Sequence, residues 1–259
     1  MIIDAHTHLS DKNTEEKTKQ LLFAMDGAHV DKAALITTTD PDFSMETAIK
    51  VKTKYPNRFF VIGHVSPLSA TQNDRDYLEK KLKLKQIKGI KFYPGYEYFY
   101  PNDKTLLSPY MRLAKKYDIP IIFHTGDTWS VNKKARLKYA HPLAIDDLAV
   151  DFPNNKIVIA HMGNPWIMDA TMIIFKNKNV YGDISGWSYE PVDQSEEKKL
   201  MGIIRYLGKA DKIMFGTDFG INTTPEFVKS HIDMIENLSI SSSEKKKILG
   251  KNAKKLFKV

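Results

Sequence analysis

Two histidines one residue apart, His6 and His8, close the apolar run that begins this chain, Met1-Ile-Ile-Asp-Ala-His6-Thr-His8-Leu. Alternate side chains of a β-strand share a face, so the two imidazoles lie about 7 Å apart along one side and can converge on a single point. Neutral imidazole is the commonest biological metal ligand, although a lone His-x-His reads equally well as a polar strand end. Two further apolar runs end in histidine, IIFHTG at His124 and KIVIAHMG at His161, and another ends in an acid, IMFGTDFG at Asp218. Five groups of metal-binding type at the ends of strand-like runs point to one site. The chain has no cysteine, which excludes thiolate ligands, disulfides and cysteine nucleophiles, so any ion takes N and O donors.

The elements that must position these groups alternate regularly. Strand-like runs are MIIDAHTHL, DKAALITTT, RFFVIGHVS, IKGIKFYPG, IPIIFHTG, KIVIAHMG, VYGDISG and KIMFGTDFG, with segments of helical apolar spacing between them, such as Leu21, Leu22, Met25 and Tyr110, Leu113, Ala114, Tyr117. Short Val/Ile-rich strands, each followed by a helix, belong to parallel sheets covered on their faces. Eight such units in 259 residues with 42% hydrophobic content predict an α/β fold, a (β/α)8 TIM barrel forming a single domain over residues 1–259. The alternative is a doubly wound open sheet, but the first strand lacks a glycine-rich phosphate loop, and such a sheet would scatter strands one, five, six and eight. Barrel active sites lie at the C-terminal ends of the strands. The longest connections, GYEYFYPNDKT, DTWSVNKKARLKYAHP and WSYEPVDQSEE, follow strands four, five and seven and are expected to form the substrate pocket.

The net charge of +8 would suit an anionic partner, but the excess is lysine in helical segments such as EKKLKLKQ and SEKKKILGKNAKK and reads as solvated faces. No nucleic-acid reader motif accompanies it. No run approaches a membrane span and the N-terminus lacks the pattern of a secretion signal, so a cytoplasmic protein with no membrane partner is expected. A homodimer is open.

The ordered set of Asp4-Ala-His6-Thr-His8, His124, His161 in AHMGNPW and Gly216-Thr-Asp218 resembles the amidohydrolase superfamily. GIKFYP around Lys91, HPLAIDDLAVDFP and ILGKNAKKLF narrow the likeness to the amidohydrolase-related branch that includes aminocarboxymuconate-semialdehyde decarboxylase. The likeness runs from the first strand to the last helix.

The resemblance implies a metallo-dependent hydrolase type of barrel acting on a small molecule. His6, His8, His124 and Asp218 would hold a divalent ion, typically Zn2+, with a place left for water. Metal-activated water would attack an amide, lactone or ester carbonyl, Asp218 serving as ligand and proton shuttle and His161 polarising the carbonyl or binding a second ion. Lys91 is carboxylated and bridges two ions in binuclear members, whereas in mononuclear ones a lysine here could pair with an anionic substrate or with Asp218. One ion is the expectation. The alternative chemistry is that of a lyase, either decarboxylation or hydration of a small unsaturated acid, and a carboxylate-anchoring arginine in the pocket would favour it. For substrate contacts the sequence offers Arg136 as a carboxylate partner, an aromatic wall from Tyr93, Tyr96, Tyr98, Trp129 and Trp187, and His64 on the rim. Asp183 reads either as the hydrogen-bond partner that orients a ligand histidine or as a turn aspartate. His29, His141 and His231 read as peripheral.

Overall fold

Residues 1–38, 43–128, 134–187, 194–218 and 224–259 are described by the structure, a computed structural model. All eight expected strands form: β1 Ile3–Thr7, β2 Lys32–Ile36, β3 Phe59–His64, β4 Ile90–Phe92, β5 Pro120–Phe123, β6 Lys156–Ile159, β7 Val180–Asp183 and β8 Ile213–Met214. Their order in the sheet is the order of the sequence. Helices alternate with them: α1 Thr14–Gly27, α2 Met45–Lys54, α3 Gln72–Lys83, α4 Lys104–Tyr117, α5 Leu137–Ala140, α6 Leu143–Asp151, α7 Ile167–Lys176, α8 Gln194–Leu207 and α9 Pro225–Asn237, followed by α10 Ser242–Lys246 and α11 Asn252–Phe257. This is the (β/α)8 barrel fold. The chain falls into two compact units, Met1–Val61 with Asp183–Val259, and Ile62–Gly182.

In the first unit β1 pairs in parallel with β2, Ile3 opposite Lys32 and Asp4 opposite Ala33, and Ala33 N–H donates to the Arg58 carbonyl at 2.9 Å at the entry to β3. On its other side Ala5 N–H donates to the Phe215 carbonyl at 3.0 Å, just past β8. First and last strands are therefore neighbours, which an open sheet in sequence order forbids. The C-terminal phrase ILGKNAKKLF explains how β8 is held. Its first residues form a single π-helical turn, Lys247–Lys251, whose Ile248 carbonyl accepts from Phe215 N–H at 2.9 Å. Asn252 Nδ2 then donates to the carbonyls of Ala210 and Ile213 at 2.6 and 2.7 Å. Gly250 lies so close to the first residue that a Cβ would stand 2.5 Å from the Met1 carbonyl oxygen, so no side chain fits there.

In the second unit β3 to β7 form one parallel ladder, with His64 opposite Lys91, Lys91 opposite Ile122, Phe123 opposite Ile159, and Ile159 opposite Gly182. Pleating turns Lys91 away from its neighbours Ile90 and Phe92. Phe92 packs among Phe99, Tyr110 and Phe123, at ring separations of 6.3, 5.1 and 5.7 Å. Tyr110 belongs to the stripe Leu107, Tyr110, Met111 and Ala114 that α4 buries at helical spacing. A capping box, Thr71 with Asp74, starts α3, and Asp103 caps α4 by accepting from Leu106 N–H at 3.0 Å. These caps fix where each helix begins, and so where each loop above the strands ends.

Candidate metal centre and its surroundings

In the first unit β1 delivers His6 fully buried, and His8 follows one pleat beyond the strand end. The partners of each ring decide which nitrogen is free. His6 Nδ1 lies 3.1 Å from Asp183 Oδ2 and 3.1 Å from Ser185 Oγ. The other oxygen, Asp183 Oδ1, accepts from Ser185 N–H at 3.2 Å and from its hydroxyl. His8 Nδ1 faces the Ile36 carbonyl at 3.0 Å. Carboxylate and carbonyl oxygens accept, so both Nδ1 atoms carry the proton and both Nε2 atoms keep a lone pair. Those Nε2 atoms meet Asp218 Oδ1 at 3.5 Å from His6 and 3.2 Å from His8. Ligands bound at 2.0–2.2 Å around a tetrahedral zinc lie roughly 3.3 Å from one another. The three groups, whose ligand atoms all lie within 4.8 Å of each other, therefore suit a divalent ion in spacing, donor type and tautomer.

The local backbone serves this cluster. Asp218 has φ 59°, in the left-handed region that L-residues reach at a cost of about 1–2 kcal/mol. Its N–H donates to the His6 carbonyl at 2.9 Å. Gly216, two residues earlier, would put a Cβ 3.0 Å from that of His6 and 3.1 Å from that of Ser185. Below the histidines Asp4 is buried, and desolvation pushes its carboxyl up to about 7 against the opposing hydrogen bond from Thr217.

In the second unit the loops after β5 and β6 bring His124 and His161 together, His124 Nδ1 to His161 Nε2 at 3.1 Å. His124 Nε2 faces the Asp127 carbonyl at 3.0 Å, so Nε2 holds the proton and Nδ1 accepts. His161 is not at a strand terminus but inside a single 3-10 turn, Ala160–Gly163, at φ 59°, with Met162 at 47°. Two non-glycine residues in succession there mark a backbone held by its surroundings. The Thr125 hydroxyl donates to the Ala160 carbonyl at 2.5 Å and Asp127 N–H to the Asn164 carbonyl at 2.7 Å. A Cβ on Gly126 would come within 2.2 Å of the Asn164 oxygen.

Beside them Lys91 is completely buried, its Nζ 5.2 Å from the Tyr93 ring centre. Tyr93 and Tyr96 flank His124 at 6.4 and 4.9 Å, the part of the aromatic wall that faces a candidate ligand. His64 donates from Nδ1 to the Lys91 carbonyl at 2.8 Å and packs on Tyr93 at 5.1 Å. Burial holds its imidazole down at about 4, well below the usual histidine range. The group the sequence reading missed is Glu97, whose Oε2 lies 3.9 Å from His64 Nε2 and whose carboxyl burial raises to about 7. Its only signal was one acid among the tyrosines of GYEYFY.

Arg136 is exposed, its guanidinium 4.5 Å from the Tyr98 ring centre, and Tyr98 stacks on Tyr139 and donates its hydroxyl to the Lys134 carbonyl. Both side chains are exposed and lie against one another in the second unit. His231 is buried in α9, Nδ1 donating to the Phe227 carbonyl at 2.9 Å. His29 is exposed and His141 is half-buried 3.6 Å from Asp169. Trp187 is buried beyond β7, and Trp129 lies outside the described residues. Among the described residues no helix is long and apolar enough to cross a membrane.

Known proteins resemble this chain in sequence and fold. Over 154 residues the chain is 29% identical to γ-resorcylate decarboxylase of a Polaromonas species, a stretch that takes in 52% of this chain and 43% of the relative, less than half its length. An uncharacterised TIM-barrel protein of Bordetella bronchiseptica superposes with a TM-score of 0.77 at 21% identity, covering 98% of this chain and 97% of the other. The 5-carboxyvanillate decarboxylase of Novosphingobium aromaticivorans, solved with bound manganese and a nitro-substituted hydroxymethoxybenzoic acid, superposes with a TM-score of 0.71 at 16% identity, covering 100% and 97%. The family profile described as Amidohydrolase matches residues 3–259, both units in one continuous match. The chain belongs to the amidohydrolase family.

Proposed function

We propose that this protein is a metal-dependent hydrolase that opens an amide, lactone or ester bond of a small molecule, with one divalent ion held by His6, His8 and Asp218. The observation that carries this reading is the meeting of two Nε2 lone pairs, each fixed by a hydrogen bond at Nδ1, on a single Asp218 oxygen at 3.2 and 3.5 Å. The family resemblance adds His124 as a fourth ligand, by the Nδ1 lone pair that otherwise accepts from His161 Nε2, whose N–H is then released for the substrate. A divalent ion in such a position supplies Lewis acidity toward a carbonyl and toward water. Two imidazoles and a carboxylate favour zinc, and manganese, the ion in the carboxyvanillate decarboxylase structure, is the alternative.

The chain's own residues supply the rest. Asp218, partly open to solvent, takes a proton from the attacking water at its carboxylate and returns it to the leaving atom. His161 supplies a hydrogen bond to the charge that grows on the carbonyl oxygen. Lys91, buried beneath Tyr93, is in this reading an uncarboxylated amine that meets an anionic substrate group. Residues 1–259 act as one domain, in keeping with the single family match over both units. A second reading, decarboxylation of a small aromatic or unsaturated acid, is favoured by the resorcylate-decarboxylating relative. Arg136 as the partner of the acid's carboxylate would weigh for it.

Metal analysis of protein purified without added metal, together with a screen of lactones, esters, amides and hydroxybenzoates followed by acid release and by CO2 release, tests both readings. The expected result is one equivalent of metal and acid release without CO2. His6→Ala is expected to abolish metal binding, and Asp218→Asn to keep much of it while losing turnover at least a hundredfold, because an amide ligates but relays no proton. Two equivalents with a carbamate on Lys91 would overturn the single ion, and CO2 release from a hydroxybenzoate would overturn hydrolysis. Full turnover in both variants would overturn the site.

A further inference from the structure

The two halves of the His6, His8 and Asp218 cluster come from opposite ends of the chain, and the regular ladder does not reach far enough to hold them. Strand β8 ends at Met214, four residues before Asp218. Between the hydrogen bond from Ala5 N–H to the Phe215 carbonyl and that from Asp218 N–H to the His6 carbonyl, the chain turns into the left-handed conformation of Asp218. One buried side chain spans this gap. Asp4 Oδ1 accepts from His6 N–H and from Thr217 N–H, each at 3.1 Å, and Asp4 Oδ2 accepts from the Thr217 hydroxyl at 2.6 Å. Its carboxylate thus fastens the amide of one proposed ligand to both donors of the residue just before another, across 213 positions of sequence.

We infer that Asp4 is a positioning residue for the metal centre, clamping the His6 backbone to Thr217 so that Asp218 presents its carboxylate to both imidazoles. The inference rests on the metal reading proposed above. Strand alternation gives Asp4 this place, because it shares a face with His6 one pleat earlier, and burial excludes the water that would otherwise compete for its oxygens. Without the clamp Thr217 loses two acceptors at once, which weakens the hold on the turn that the bond from Asp218 N–H to the His6 carbonyl shares. The ligand separations would then broaden and the ion would bind less tightly, as happens when partners of metal ligands are removed.

The test is Zn2+ affinity of the full-length protein, stripped of metal and titrated against a chromophoric chelator, with thermal unfolding of the metal-free forms in parallel. Asp4→Ala is expected to weaken zinc roughly 10- to 100-fold. Thr217→Val, which removes only the hydroxyl, should weaken it by a smaller factor. Asp4→Asn keeps an oxygen for the two amides and can donate to the Thr217 hydroxyl, so it should restore affinity to within about threefold of the parent. Asn155→Ala controls for lost stability: it removes the buried bond to the Met111 carbonyl at 2.7 Å in the other unit and should leave zinc affinity unchanged. Parent-like affinity in Asp4→Ala, no rescue by Asn, or an equal loss in Asn155→Ala would overturn the assignment. A parent protein that takes up no zinc, or a His6→Ala protein that binds it normally, would instead bring down the metal reading.

Discussion

Replacing Glu97 by glutamine should destabilise the protein more in acid than at neutral pH, because the buried Glu97 carboxyl favours the folded state only while the unfolded chain is protonated there too. Burial raises the Glu97 carboxyl from 4.5 to about 7, against hydrogen bonds from Ser66 and from the backbone at Tyr93. Below pH 4.5 folded and unfolded chains are both protonated there. Between 4.5 and 7 the unfolded chain ionises while the folded one keeps its proton, so stability falls as pH rises and the loss is complete above 7. At 1.36 kcal/mol per unit, a rise of this size is worth about 3 kcal/mol. His64 acts in the opposite sense. Its imidazole drops from 6.5 to about 4 through burial, reinforced by the charge of Lys91, so its contribution is intact above 6.5 and is lost as pH falls toward 4, again by about 3 kcal/mol. The slopes of this neighbouring pair overlap and oppose one another in the parent. In Glu97→Gln the Glu97 slope is gone, while those of His64 and of the buried Asp4 remain common to both proteins. Urea unfolding at a series of pH values, extrapolated linearly to zero denaturant, measures both proteins. The stability difference, parent minus variant, should shrink by about 3 kcal/mol between pH 4 and pH 7.5. A difference that stays constant within 1 kcal/mol over this range would refute the reasoning.

Other consequences are as direct. Gly126→Ala should cost at least about 2 kcal/mol and disturb His124, since φ is +88° and the new methyl meets the Asn164 backbone oxygen at 2.2 Å. Gly182→Ala meets two buried side-chain atoms, the Met162 sulfur at 2.3 Å and the Ile174 Cδ1 at 2.9 Å, and should cost about 1–3 kcal/mol; chemical denaturation of both variants would show whether backbone or side-chain obstruction governs the cost. Asp183→Asn weakens the partner that fixes the His6 tautomer and should reduce zinc affinity about 10- to 100-fold with little change in apoprotein unfolding, a result that equal affinities would contradict.

The fold was legible because the apolar runs are short and punctuated: Pro120 opens β5 as its position suggested, and each run with a terminal histidine or acid sits on or directly after a strand. The His6, His8 and Asp218 grouping was legible for the same reason, since strand ends are where a barrel collects polar side chains. Asp183 was half legible. Its type suited a ligand partner, but only the 3.1 Å contact to His6 separates that role from a turn. The turn at His161 was hidden, because left-handed backbone at a histidine leaves no mark when glycine is the usual occupant. Arg136 was legible by type alone, since guanidinium stacks on an exposed tyrosine, as it does on Tyr98, as readily as it grips a carboxylate. Glu97 and the true burial of His231 could not be read, since burial of a single polar group depends on what packs over it from far along the chain.

The bond between Thr217 and Asp4 sets the order of events when the polypeptide is made. The amino-terminal pair of imidazoles leaves the ribosome first, yet its carboxylate partner emerges more than two hundred residues afterwards. Contacts of such long range are costly to close and slow to form. The three donors can meet only after Asp218 has been made, so under the metal reading an ion would be taken up after the strand that precedes Asp218 has docked.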